Sequence, residues 1–176
     1  SGDVMYDIGA NVGSYSLITF GFLKGQVQIY AFEPGFLSFS QLCKNINLNG
    51  ASPAIAPLQV ALSDQTLLSD FHYQNIETGG ALHPLGEPIN HKGQPFEPVF
   101  SLPTLSYSLD DFVLQFDLPK PNHIKMDVDG LEFRILKGGN NTLSYPGLKS
   151  ILLETNEELE GSKHYDDWLG SKGLIL

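Results

Sequence analysis

The chain has 176 residues, 41% hydrophobic and 17% charged, a balance that suits one globular domain with a sizeable core rather than a disordered segment. A formal charge of −10, with ten Lys and Arg in all, argues against nucleic-acid binding through phosphates. The single cysteine, Cys43, excludes an internal disulfide and a cysteine-based zinc site. No apolar run reaches the ~18 residues of a membrane span and no signal-peptide pattern opens the chain, so a cytoplasmic protein without a membrane contact is the expectation.

The first element is a short strand, Val4 to Ile8, that breaks at Gly9 and runs through Ala10-Asn11-Val12-Gly13 into a helix. A strand, a tight glycine turn and a helix N-terminus form the nucleotide cradle of an open α/β sheet. A dinucleotide loop needs Gly-x-Gly-x-x-Gly, so that a pyrophosphate can rest on the helix N-terminus. Here Asn11 takes the middle position and a carboxylate, Asp7, sits in the strand end. That carboxylate repels pyrophosphate but suits a ligand carrying an ammonium or a sulfonium. Asn11 also tolerates a left-handed backbone, so the turn survives without a middle glycine. The stretch reads as a loop for S-adenosylmethionine, with Gly9, Asn11 and Gly13 shaping the methionine pocket and Asp7 near its ammonium group.

A helix over Tyr15 to Leu23 closes at Lys24-Gly25, and Gln26 to Phe32 is the second strand. Glu33 ends that strand, where an acidic residue accepts hydrogen bonds from both ribose hydroxyls. A helix follows over Ser38 to Leu48, then a third strand over Leu58 to Leu62 ending in Ser63-Asp64. Asp64 is read either as the acceptor of the adenine amine, with Ser63 bordering the ring, or as an ordinary turn aspartate. Residues 67–105 carry five prolines between 84 and 103 and read as an irregular insertion, apart from a short strand or hairpin arm over Leu68 to Tyr73. A substrate-facing lid is the expectation there, with His72, His83 and His91 as surface residues.

Ser108-Leu109-Asp110-Asp111-Phe112 opens a helix with a capping serine and acids in its first turn. Asn122 to Val128 is the fourth strand, with Asp127 at its C-terminal end, where ligands sit in such sheets. A helix over Leu131 to Leu143, a fifth strand over Leu148 to Thr155 and a last helix over His164 to Lys172 complete the pattern. The chain stops at Gly173-Leu174-Ile175-Leu176, which reads as a strand just starting, and a fragment of a longer protein is expected.

Several segments recur in this order in one group: Tyr6 to Gly13, Ala31-Phe32-Glu33-Pro34, Asn45 to Asn49, Val60 to Asp64, Ser108 to Phe112, and Ile124 to Glu132 through Leu136-Lys137-Gly138. The chain resembles the FkbM family of S-adenosylmethionine-dependent methyltransferases over nearly its whole length outside 67–105. The resemblance implies a Rossmann-like class I methyltransferase fold in one domain, 1–176: an open, doubly wound, mostly parallel sheet with helices on both faces. Its final antiparallel strand would be missing from this chain. The resemblance further implies O-methylation of a hydroxyl on a small molecule, sugar or natural product. Asp129 stands where family members commonly carry glutamate.

In this reading Asp127 lies beside the reacting centre as base or positioning group, or else contacts the cofactor or the following turn. Glu132 and Arg134 read as a structural ion pair. No metal is expected, although Asp127, Glu154 and Asn156 on adjacent strand ends offer oxygen ligands of the kind that hold Mg²⁺. The rivals are a nicotinamide-dependent oxidoreductase, disfavoured by Asp7 and the absent middle glycine, and a protein of this fold that binds donor without turnover.

Overall fold

A computed structural model describes residues 2–80, 83–89, 94–154 and 168–170. The chain begins with β1 (Asp3–Ile8), α1 (Ser14–Phe22), β2 (Val27–Phe32), α2 (Phe36–Leu48) and β3 (Ile55–Leu58). Three strands of a smaller sheet follow: β4 (Ala61–Ser63), β5 (Leu67–Tyr73) and β6 (Phe100–Ser108). The remaining elements are α3 (Leu109–Gln115), β7 (His123–Met126), α4 (Glu132–Gly138), α5 (Asn140–Leu143) and β8 (Ser150–Leu153).

The main sheet is parallel throughout, in the order β3-β2-β1-β7-β8. Its central strand is buried on both faces, which is why residues 4–8 read as a run rather than an alternation. On one face Met5, Val27, Ile29 and Ala31 pack against Leu42 and Ile46 of α2 and Leu17 and Phe20 of α1. On the other, Tyr6, Ile8, Phe32, Ile124 and Met126 pack against α3, α4 and α5 through Leu109, Phe112, Ile135, Leu136 and Leu143. The fold is thus the doubly wound α/β architecture expected. Strand order reverses between β1 and β7, and in such sheets the crevice at the C-terminal strand ends at this point receives ligands.

Local chemistry explains the boundaries. Helix α1 closes in a Schellman turn: Lys24 adopts φ 51, its N–H bonds Gly21 O, and Gly25 N bonds Phe20 O. Helix α3 is capped by the Ser108 hydroxyl, which accepts from Asp111 N at 3.1 Å. Asp110 accepts from the backbone N–H groups of Asn141 and Thr142 and so anchors the start of α5 to α3.

Four expectations are corrected. The third strand does not run from Leu58 to Leu62. Val60 N bonds Leu58 O across a tight turn, so β3 ends at Leu58 and the chain enters the second sheet at Ala61. The arm expected over Leu68 to Tyr73 is present as β5, but the far end of the 67–105 segment is not irregular: β6 pairs antiparallel with β5 from Leu67↔Ser106 to Tyr73↔Phe100 and parallel with β4. The helix over Leu131 to Leu143 is two helices meeting at Gly139. His72 is a buried residue rather than a surface one, its ring nitrogens bonded to Ser101 Oγ and Gly86 O.

Of the last helix, residues 168–170 are helical and Leu169 is buried in the core. The rest of that helix, the strand at 173–176, His91 and Asn156 lie outside the described residues. Among the described residues no helix is long and apolar enough to cross a membrane.

Candidate active site

A cleft of about 170 Å³ lies at the C-terminal ends of the parallel strands. Its floor is Ile8, Gly9 and Asn11 after β1, with Phe32, Glu33 and Pro34 after β2. Val60, Ala61 and Leu62 form one side, and Asp127, Val128, Asp129 and Leu131 after β7 form another. The remaining wall comes from the insertion: Phe71, Gly80, His83 and Leu85.

The turn after β1 is drawn tight against its neighbours. Gly9 has φ +74, and a Cβ there would stand 1.9 Å from the Asp127 carbonyl oxygen. No side chain fits, so the two strand ends touch backbone to backbone. Asn11 carries the left-handed conformation with φ 50. Gly9 N and Ala10 N both donate to Phe32 O, and Asn11 N donates to Glu33 Oε2 at 2.8 Å. Glu33 Oε1 accepts from Gly35 N at 2.7 Å. Burial pushes the Glu33 carboxyl up to about 7 against the pull of these two backbone N–H groups.

Of the residues expected to hold a cofactor, Gly9, Asn11 and Glu33 line the cleft together, and Asp127 lines it beside Gly9 on the neighbouring strand end. The other four are placed elsewhere. Asp7 is wholly buried beneath the turn, where Ser16 Oγ donates to its Oδ2 at 2.6 Å and Lys125 Nζ stands 3.4 Å from its Oδ1. Gly13 caps α1 at φ +91, a left-handed conformation that favours glycine, with Leu42 Cδ1 2.6 Å from where a Cβ would stand. Ser63 is buried in β4 and Asp64 is bound by Arg134, whose Nε and Nη2 each approach Asp64 Oδ1 at 2.8 Å. Burial works to raise the Asp64 carboxyl, but the Arg134 contact together with Ser63 outweighs it and holds the group below the ordinary aspartate range. Arg134 is therefore not paired with Glu132, which instead accepts from Val128 N and fixes the turn after β7.

Lys125 and His83 enter the site with no signal in the sequence, whereas Glu154 stands beside Asp127 on the adjacent strand end, as expected. Lys125 points from the middle of β7 into the protein and bonds Gly9 O at 2.7 Å. His83 belongs to the cleft wall, beside the rings of Phe71 and Tyr73, and burial keeps its imidazole pKa below the ordinary value. Glu154, at the end of β8, hydrogen-bonds Asp127. That bond and the charge of Asp127 push the Glu154 carboxyl up to about 7. Among the described residues no group of three or more His, Cys, Asp or Glu could hold a metal ion.

The model of the Methyltransferase FkbM domain matches residues 7–173. The chain belongs to the FkbM methyltransferase family. Relatives within reach of this FkbM-family chain include the hexuronic acid methyltransferase AglP of Haloferax volcanii, 29% identical over 141 residues. The 2-O-methyltransferase NoeI of Sinorhizobium fredii is 30% identical over 149 residues. The 31-O-demethyl-FK506 methyltransferase FkbM of Streptomyces tacrolimicus is 24% identical over 176 aligned positions. These matches cover 80%, 80% and 89% of this chain, which spans 52%, 59% and 66% of the respective relatives.

Among solved structures, Methyltransferase FkbM from Methylobacillus flagellatus KT superposes with a TM-score of 0.58 at 19% identity, over 85% of this chain and 32% of that one. Precorrin-6y C5,15-methyltransferase from Geobacter metallireducens GS-15 gives 0.55 at 15% identity, over 98% and 64%. At these identities the likeness establishes the fold, a class I methyltransferase α/β domain.

Proposed function

We propose that this FkbM-family domain binds S-adenosylmethionine in the cleft and O-methylates a hydroxyl of a sugar or other small molecule. The observation that carries the reading is the joint placement of Gly9, Asn11 and Glu33 on one cleft floor, at the point where the strand order reverses. The residues fit such a donor. Gly9 leaves the floor without a side chain, and Asn11 Oδ1 is a buried acceptor with no hydrogen-bond partner. An acceptor in that state is costly unless a ligand donor reaches it. Glu33 is held by Asn11 N and Gly35 N with lone pairs to spare for a ribose diol.

When bound, the donor supplies an electrophilic methyl group. The chain's own contribution is to place the acceptor and to take its proton. Asp127 Oδ, partly exposed at the cleft edge, is the group positioned to receive the hydroxyl proton. Glu154 stands beside it on the neighbouring strand end, its own carboxyl raised by the hydrogen bond to Asp127 and by the Asp127 charge. The acidic character of this edge also suits a cationic donor better than its uncharged-sulfur product. The names of the relatives, which specify a hexuronic acid, a 2-O position and a 31-O position, support a hydroxylated acceptor.

Calorimetric titration with S-adenosylhomocysteine tests this. The wild type should bind, and Glu33→Gln should bind about 10- to 100-fold more weakly through loss of a charged hydrogen-bond acceptor. A folded wild type that takes up no S-adenosylhomocysteine would overturn the reading.

A further inference from the structure

The β7 lysine is the most heavily engaged cation near the cleft, and the proposed reaction leaves it unused. Lys125 is 4% exposed, and its ammonium stands 2.7 Å from Gly9 O, 3.5 Å from Ile8 O, 3.4 Å from Asp7 Oδ1 and 3.6 Å from Asp127 Oδ2. The Tyr15 ring at the start of α1 closes the remaining side, with its centroid 5.3 Å away. Asp7 Oδ1 is buried and receives no well-aligned hydrogen bond, so its contact with Lys125 is one of charge rather than of a directed N–H.

Stability alone does not account for such a residue. A buried ion pair is seldom more stabilising than an apolar pair of similar volume, because both charges must be desolvated. What a buried ammonium does supply is geometry: several N–H groups, each requiring an oxygen in a fixed direction. Here those oxygens belong to two segments that meet at the cleft. One is the end of β1 with the turn whose outer side is the cleft floor; the other is Asp127 beyond the end of β7.

Resting on the donor-binding reading above, we infer that Lys125 is a positioning residue that locks the Gly9–Asn11 turn and the Asp127 carboxylate into one unit. It touches neither donor nor acceptor. It acts from behind the cleft floor, by holding the Gly9 carbonyl away from the ligand side and by drawing one oxygen of Asp127 inward.

Lys125→Met alone strands the Asp7 charge and can fail to fold, so the test uses Asp7→Asn as its background. Asp7→Asn is compared with Asp7→Asn/Lys125→Met by thermal melting, by amide hydrogen exchange without ligand, and by titration with S-adenosylhomocysteine. The double variant should melt cooperatively like the single one. Exchange at the Gly9, Ala10 and Asn11 amides should nevertheless be about tenfold faster, and S-adenosylhomocysteine affinity lower by about tenfold, the equivalent of one charged hydrogen bond. Equal exchange at these three amides in the two variants would overturn the inference, as would faster exchange spread uniformly over the sheet. The exchange measurement needs no ligand. A wild type that ignores S-adenosylhomocysteine while the turn loosens in the double variant would sink the donor reading and leave the lock standing.

Discussion

Glu33 makes the sharpest physical prediction, because two backbone N–H groups favour its anion while its burial opposes it. Burial wins, and the folded carboxyl titrates at about 7 against an ordinary glutamate value of 4.5. Between these two pH values the folded state binds more protons than the unfolded state, so stability falls as pH rises through the window. At about 1.4 kcal/mol for each pH unit, the full loss is about 3 kcal/mol, absent below 4.5 and complete above 7. Glu33→Gln is neutral throughout and resembles the protonated acid. Urea denaturation at several pH values from 4.5 to 8 should therefore show the variant gaining on the wild type by about 3 kcal/mol as pH rises. Glu154 titrates in the same range, but it is common to both proteins and cancels in the difference. Wild-type affinity for S-adenosylhomocysteine should rise over this window and level off above 7, since ribose hydroxyls donate to the anion, whereas the variant's should stay flat. Parallel stability curves for the two proteins would refute the argument that Glu33 is desolvated.

Gly9→Ala should cost at least about 2 kcal/mol, combining a left-handed alanine with a Cβ driven into the Asp127 carbonyl. An unshifted urea midpoint would show that the two strand ends are not in contact. Arg134→Met removes a pair whose members are both part-exposed, so its stability cost should stay below about 1 kcal/mol after solvent screening. Whatever Asp64 gains from the pair should disappear as pH falls through its lowered carboxyl pKa, because the contribution requires the anion. Phe71→Ala empties a buried site packed edge-on against Tyr73 and His83 and should cost about 3 kcal/mol in chemical denaturation. It should also weaken S-adenosylhomocysteine binding by opening the cleft wall.

Most of the main sheet was legible because its strands carry their own signals, although β3 was expected three residues too late, at Leu58 rather than Ile55. Residues 4–8 and 27–32 are short, mainly apolar runs, 123–126 alternates Ile124 and Met126 with the basic His123 and Lys125, and glycine or a strand-end acid punctuates each. Gly9, Asn11, Glu33 and Asp127 follow from that pattern alone, since parallel strands must deliver their C-terminal ends to one edge. The second sheet was hidden for an equally local reason. Pro103 lies inside β6, and a proline argues against a central strand. In the structure it pairs with Asp70 on the β5 side, at a position beyond the reach of β4, whose pairing covers Ser106 to Ser108. The strand is central at one end and an edge at the other. Asp64 and Arg134 lie 70 positions apart in the chain, and no periodicity links a residue after one strand to a guanidinium on a distant helix. Lys125 was overlooked for the opposite reason: in an apolar strand, a lysine looks like an outward-facing residue until its partners are placed around it.

The second sheet also determines what kind of cover the insertion provides. A flap on two free hinges would open independently of the chemistry below it, as lids over active sites often do. Here both roots are fixed. Strand β4 follows β3 after a two-residue turn, and β6 runs directly into α3 at the Ser108 cap. Helix α4 is pressed against β4 so closely that a Cβ on Gly138 would stand 2.3 Å from the Ser63 carbonyl. That helix begins just after the turn that carries Asp127, and Glu132 in its first turn holds Val128 N. The wall made by Phe71 and the edge made by Asp127 are therefore braced by the same packed helix. The segment between β5 and β6 brings Gly80, His83 and Leu85 to the cleft on two strands paired from Leu67↔Ser106 to Tyr73↔Phe100, so for the proposed acceptor that segment is where the wall can vary while its roots stay packed.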